Sequence, residues 1–322
     1  MRNQTNAIEQ QFQYKIPLAL RPLHLLQLRD IEIAGMHQII DSHVHFFDPT
    51  RPGGVPWPTP DTPALYKPAL PPRLETLSRP FGVLGCIAVE CSPLLTDNDW
   101  LLNIARSNPF VLGIIGDLDP ADPAFRSHLA RLHENPLFLG IRYGNLWHRD
   151  LFADLSKSVF VDSLRVLADA GLVLESANPD PRLIAALLRI VERVPKLRVI
   201  IDHLPNAKLP NDPHDLAAYH HDLAVLARHS HVYVKLSEIP VLRDGALIHD
   251  KHFYRDKLDP LWDLFGPHRV IFGSDWPNSD LVAPYDQTFD IVSEYLTSRT
   301  PHDRERYFFE NSQKAYAWTP RS

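Results

Sequence analysis

Ile39-Ile40-Asp41-Ser42-His43-Val44-His45 is the stretch on which the fold turns. Its β-branched start predicts a strand. Residues i and i+2 of a strand share a face, so Asp41, His43 and His45 are expected to point the same way. The same kind of unit then returns along the chain. Candidate strands lie at Gln38–His43, Leu84–Glu90, Val111–Gly116, Phe138–Arg142, Leu172–Ser176, Arg198–His203, Val232–Leu236 and Val270–Asp275. Helical patterns intervene at Asn98–Ser107, Pro123–Glu134, Val159–Ala170, Pro181–Arg193, Asp215–Arg228 and Pro260–Phe265. Several of them start with Asp or Pro, which suit a first helical turn. Alternating strands and helices imply parallel βαβ units. Eight of them fit an α/β chain closed into a single (β/α)8 TIM barrel, which takes about 250 residues. A doubly wound open sheet would be expected to carry a phosphate-binding G-x-G-x-x-G turn, and the sequence has none.

Composition narrows the function. The 322 residues are 44% hydrophobic and 22% charged, which suits a globular protein. Two cysteines build no disulfide framework, and a cytoplasmic setting is expected. A net charge of -6 offers no general attraction for nucleic acid or an anionic membrane. No apolar run reaches the roughly 18 residues of a membrane span. The expected partner is a small-molecule substrate, with a homo-oligomer left open. Residues 1–35 lack a sustained period and a secretory pattern. They are expected to lie outside a domain spanning 36–322, with Met36 as an alternative start to Met1. Many of the 30 prolines fall between Pro49 and Pro80. That segment, which has no strand of its own, reads as an insertion over the barrel mouth, packed through Trp57 and Tyr66.

The chemistry is expected at strand C-termini, where barrel enzymes work. His43 and His45 end the first strand, Arg142 the fourth, His203 the sixth and Asp275 the eighth. Adjacent imidazoles can hold a divalent metal or donate to a developing oxyanion. A guanidinium suits a substrate carboxylate. Any one of these alone is a strand end meeting solvent. Four converging on one face are harder to dismiss.

As an ordered set, several motifs are similar to those of the amidohydrolase-related branch of the amidohydrolase superfamily. They are Asp41-Ser42-His43-Val44-His45-Phe46-Phe47-Asp48-Pro49, Gly140-Ile141-Arg142, Asp202-His203, Val232-Tyr233-Val234-Lys235-Leu236-Ser237, Phe272-Gly273-Ser274-Asp275-Trp276-Pro277 and Glu310-Asn311-Ser312-Gln313-Lys314-Ala315-Tyr316. The nearest subgroup is lactonase-like, with 2-pyrone-4,6-dicarboxylate lactonase and sugar-lactone hydrolases. The resemblance spans Gln38 to Trp318. It implies a hydrolase that opens a lactone, often a carboxylated one. Asp275 would be its general base, and His43, His45 and His203 would orient water or polarise the carbonyl. Arg142, Tyr143, Lys235 and Glu90 would lie around the substrate, Glu90 more as a support.

Departures from the family pattern bear on metal and specificity. The fourth strand ends in Arg142-Tyr143 and the fifth reads Leu172-Val173-Leu174-Glu175-Ser176, so a two-metal centre is not expected. The expected cofactor is none or one divalent ion, zinc or manganese, on His43, His45, Asp275 and Glu175. The run Lys235-Leu236-Ser237-Glu238 has glutamate where the family usually has glycine. Lys235 would neutralise a substrate acid or be solvated. Cys91 reads as a buried thiol, and His220-His221 diverge on a helix. His229, His231, His249, His252 and His268 read as surface residues in connections. Two alternatives stay open: a metal-dependent decarboxylase of an unsaturated or aromatic acid, and a barrel that binds a ligand without turnover.

Overall fold

The computed structural model describes residues 38–177, 181–205 and 209–321. The leader expected at 1–35, and with it the choice between Met1 and Met36, lies outside the described residues. Eight parallel strands stand in one sheet: β1 (Ile39–Val44), β2 (Val83–Val89), β3 (Val111–Gly116), β4 (Phe138–Arg142), β5 (Val173–Glu175), β6 (Arg198–Ile201), β7 (Val232–Leu236) and β10 (Val270–Phe272). Strands β8 (Leu242–Arg243) and β9 (Ala246–Leu247) form a small hairpin after β7. Val44 bridges Trp276, and His45 N donates to the Trp276 carbonyl at 2.8 Å, which brings the sheet round on itself. The result is the expected barrel. Its helices are α1 (Pro71–Ser78), α2 (Leu95–Ser107), α3 (Phe125–His133), α4 (Leu151–Asp154), α5 (Ser158–Asp169), α6 (Pro181–Arg193), α7 (Pro213–Leu226), α8 (Lys251–Phe265), α9 (Tyr285–Leu296), α10 (Pro301–Glu305) and α11 (Asn311–Tyr316).

Strand alternation produces two cores. Ile40, Ile87, Val89, Ile115, Leu139, Val173, Ile200, Tyr233 and Ile271 fill the barrel with Tyr316 and Trp318 from the C-terminal segment. Their strand neighbours Ile39, Ala88, Ile114, Leu174, Ile201, Val234 and Phe272 pack outward with the helices. Burying each such side chain contributes about 1.5–3 kcal/mol, so the alternation is strongly held. Among the described residues no helix is long and apolar enough to cross a membrane.

Three expectations change. Helix α8 starts at Lys251, far upstream of Pro260, because Asp250 caps it by accepting from His252 N at 2.9 Å. Tyr254, Leu258, Leu261, Trp262 and Phe265 then bury one continuous face, and the helix runs through Pro260. His252 therefore opens a helix and is not in a connection. The Pro49–Pro80 segment carries the whole of α1, with Pro71 preset for its first turn. In that segment Trp57 packs edge-on to Phe47 at 5.4 Å, while Tyr66 is exposed and its neighbour Leu65 is buried.

Candidate active site

The site begins with a change of phase in β1. Ile40 faces the barrel, and Ser42 donates to the Phe272 carbonyl and bonds Tyr316. Asp41 turns outward, accepting from Ser274 N at 2.9 Å and from the Tyr285 hydroxyl of α9 at 3.1 Å. The register with β2 then breaks between Asp41 and Val44. That irregularity sends His43 and His45 inward and Val44 outward. Asp41 thus does not share the histidines' face, and strict alternation fails here because a bulge moves the side-chain phase by one. Gly273 makes the fit possible, since a Cβ there would come 2.6 Å from the His43 Cβ.

His43 lies between two layers. Below it, Lys235 Nζ stands 3.0 Å from His43 Nδ1, 2.8 Å from Glu175 Oε1 and 3.3 Å from Asp202 Oδ1. Tyr316 donates its hydroxyl to Glu175, and all four of these neighbours are buried. An ammonium only donates, so Nδ1 accepts and the His43 hydrogen sits on Nε2. Burial and the nearby Lys235 charge push the His43 pKa well down, keeping the ring neutral. The sequence expectations for Lys235 and Glu175 are corrected accordingly. Lys235 is neither solvated nor at the mouth, and Glu175 is engaged by Lys235 and Tyr316 inside the barrel.

Above His43 the pairing is incomplete. His45 Nδ1 lies 3.0 Å from the Val89 carbonyl, which only accepts, so Nδ1 carries the hydrogen. The lone pair on His45 Nε2 then faces Asp275 Oδ1 at 3.3 Å. His43 Nε2 approaches the same oxygen at 3.6 Å and has no hydrogen-bond partner. Desolvation raises Asp275 to about 7, against the pull of Arg142. Burial, with Arg142 next, lowers His45 to about 3. His203 is likewise held neutral by burial and Arg142, and its Nδ1 lies 3.1 Å from the Ser237 hydroxyl.

Arg142 reaches the site but is already engaged. It donates through Nε to Glu90 Oε1 at 2.7 Å and through Nη2 to the Glu90 carbonyl at 2.8 Å. The other Glu90 oxygen accepts from Trp147 Nε1 at 3.3 Å and Ser92 N at 2.9 Å. Glu90 is thus a support for Arg142 and Trp147. Tyr143 points away from the site. Its hydroxyl donates to Asp154 at 2.7 Å and its ring packs on Phe160, because it follows inward-facing Arg142 by one residue.

A cavity of about 490 Å³ opens over His45, Arg142 and His203. Trp57, Trp147, Glu238 and Asn278 wall it. Sequence reading missed Trp147 and Asn278 as cavity residues and gave Asp202 no role, whereas Glu238, marked there as a departure bearing on specificity, does line the cavity. Asp202 was within reach, two residues after barrel-facing Ile200. His203 follows it inward only because its φ is +63°.

A family model described as amidohydrolase matches residues 40–318. The chain belongs to the amidohydrolase family. An L-fucono-1,5-lactonase of Burkholderia ambifaria is 31% identical over 251 residues, covering 76% of this chain and 82% of that protein. A Burkholderia multivorans amidohydrolase crystallised with bound zinc superposes with a TM-score of 0.76 at 25% identity, over 88% of this chain and all of the other. A probable 2-pyrone-4,6-dicarboxylic acid hydrolase of Acinetobacter baumannii shares the fold, with a TM-score of 0.69 at 19% identity over 87% of this chain and all of the other. This amidohydrolase is thus a hydrolase built on a TIM barrel.

Proposed function

We propose that this amidohydrolase opens a sugar-acid lactone, with Asp275 as general base. The observation that carries the reading is the pair of acceptors, Asp275 Oδ1 and His45 Nε2, facing each other at 3.3 Å below the cavity. A water seated over the pair, on the cavity side, donates to Asp275 and keeps a lone pair for the lactone carbonyl. As it attacks, its proton passes to Asp275, and the N–H of His43 stands where the growing negative charge needs a donor. Asp275 then returns the proton to the ring oxygen as the C–O bond breaks. Water has added across the ester, giving an open hydroxy acid. The similar L-fucono-1,5-lactonase supports lactone hydrolysis over decarboxylation.

A divalent ion would act as a Lewis acid on the carbonyl or the water. The expected ligand set does not fit it. Donor atoms of His43, His203 and Asp275, and of His43, Glu175 and Asp202, come within 4.8 Å of one another, yet Lys235 donates to His43 Nδ1 and to Glu175 in the second group and leaves His43 Nε2 carrying a hydrogen in the first. The mechanism therefore runs on the chain's own groups. Domain 36–322 carries it, in a cytoplasmic protein.

Acid release from a panel of 1,5- and 1,4-sugar lactones, followed with a pH indicator, tests the reading. Turnover that survives chelator and vanishes in Asp275→Asn is expected. Wild-type protein that opens no lactone in the panel would overturn it.

A further inference from the structure

The two halves of the candidate reaction centre meet across the thinnest seam of the barrel. Ladders join each strand to the next from β1 through β7 to β10. Among the described residues β10 and the turn after it meet β1 through the isolated bridge Val44–Trp276, with two backbone bonds beside it. Asp275 N donates to the His43 carbonyl at 2.9 Å and His45 N to the Trp276 carbonyl at 2.8 Å. His43 and His45 stand on one side of that seam and Asp275 on the other. Drift across it would be costly, since a misplacement of about 1 Å can lower a rate by about 100-fold.

Side chains of β1 stand in for the missing ladder. Ser42 donates to the Phe272 carbonyl. Asp41 is fully buried and accepts from Ser274 N at 2.9 Å and from the Ser274 hydroxyl. It also accepts from the Tyr285 hydroxyl at 3.1 Å and from His43 N at 3.4 Å. The Ser274 oxygen in turn accepts from Trp276 N at 3.0 Å. One bonded chain thus brackets Asp275 on both sides, while its own φ is +61°. A residue other than glycine keeps that conformation where its surroundings fix it. Each group around Asp41 donates, which suits a carboxylate because it only accepts, and none of these partners is a cation. Burying a carboxylate without a cation is costly. Asp41 is not among the cavity walls, so contact with a substrate does not account for it.

We propose that Asp41 is a positioning residue: it clamps the Ser274–Trp276 turn to β1 and so sets the distance from Asp275 to His43 and His45. This rests on reading Asp275 as the base. Tyr285 ties the clamp to α9, and proton transfer stays with Asp275.

The test compares Asp41→Ala, Asp41→Asn and Tyr285→Phe with wild type in three ways. They are turnover of a 1,5-hexonolactone, calorimetric binding of the matching lactam, which is not hydrolysed, and crystal structures. Asp41→Ala should lower kcat by about 100-fold and leave KM and lactam affinity within about twofold. In its crystal structure Asp275 Oδ1 should shift by about 1 Å from its 3.3 Å approach to His45 Nε2. Asp41→Asn keeps an oxygen for Ser274 N and offers its amide to the Tyr285 oxygen, so it should stay within about tenfold of wild type in kcat. Tyr285→Phe alters no cavity residue and should lower kcat about fivefold, which keeps the test open if Asp41→Ala does not fold. An Asp275 left in place in every variant that folds overturns the proposal, whatever the rates do. Asp41→Asn no faster than Asp41→Ala overturns it as well, because charge and not hydrogen bonding would then be at work. The structures separate the clamp from the hydrolysis reading. If wild type opens no lactone while Asp275 shifts in the variants, that reading falls and the clamp stands. If lactones turn over and kcat is unchanged in the variants, the clamp falls alone.

Discussion

The two sides of the His43 ring meet opposite environments. On its Nδ1 side, Lys235 lies within 3.3 Å of Glu175 and Asp202 in full burial, and burial with the neighbouring Glu175 pushes the Asp202 pKa well up. On its Nε2 side, His45 and Asp275 present two acceptors to each other with no donor between them. The residue types are alike and the layers are adjacent. What differs is whether a donor stands among the acceptors. In the lower layer Lys235 is shared among His43, Glu175 and Asp202, which holds His43 in one tautomer. The upper layer is left incomplete at a cost in stability, which a water and a substrate can recover. Burial of a charge is therefore a structural device below and a chemical one above.

Removing the base should have the largest effect. Asp275→Asn is expected to lower kcat by about 10⁴-fold while circular dichroism stays that of the wild type. A fall of only a few-fold would place the proton acceptor elsewhere. In the lower layer, Lys235→Met leaves two buried carboxylates facing each other, at a cost of about 4 kcal/mol in denaturant unfolding. Lys235→Met with Glu175→Leu should recover most of that loss. If the single and double variants unfold alike, the layer is not held by this pairing.

The pH profile sharpens the contrast. Asp275 works as a base only when ionised, so kcat/KM should climb with pH up to about 7 and level off above it. Stability runs the other way. The folded pKa is raised above the roughly 3.9 of an unfolded aspartate, so its contribution is full below about pH 4 and is lost as pH rises through 7. Asp275→Asn should match wild type in denaturant midpoint at pH 4 and exceed it at pH 8. A variant weaker than wild type at pH 8 would show that the ionised carboxylate is stabilised after all. The smallest effect belongs to Tyr143→Phe, which removes one hydroxyl bond to Asp154. It should cost about 1 kcal/mol and leave kcat/KM unchanged; a changed kcat/KM would return Tyr143 to the substrate.

The barrel was legible because its strands are short apolar runs and several of its helices begin with the Pro or Asp that suits a first turn. The strand-end groups His43, His45, Arg142, His203 and Asp275 could be picked out for the same reason: each closes an apolar run. Their neighbours were harder. Tyr143 follows Arg142 by one residue and so lands on the other face, which parity alone foretells. Asp41 could not be placed, because a bulge between Asp41 and Val44 appears only when β1 meets β2. Glu90, expected more as a support than as a substrate contact, has both its oxygens engaged by Arg142, Trp147 and Ser92, partners only the closed barrel supplies.

By itself the sequence determined the (β/α)8 architecture, the five strand-end groups and the absence of a dinucleotide-type phosphate turn. All three depend on residues close together in the chain. Tertiary structure decided the rest: which groups are neutral, which histidine nitrogen carries its hydrogen, and that Lys235 is buried inside the barrel. Those properties depend on partners 34 to 244 positions away, from His203–Ser237 to Asp41–Tyr285. Desolvation and hydrogen bonding arise only when the barrel closes.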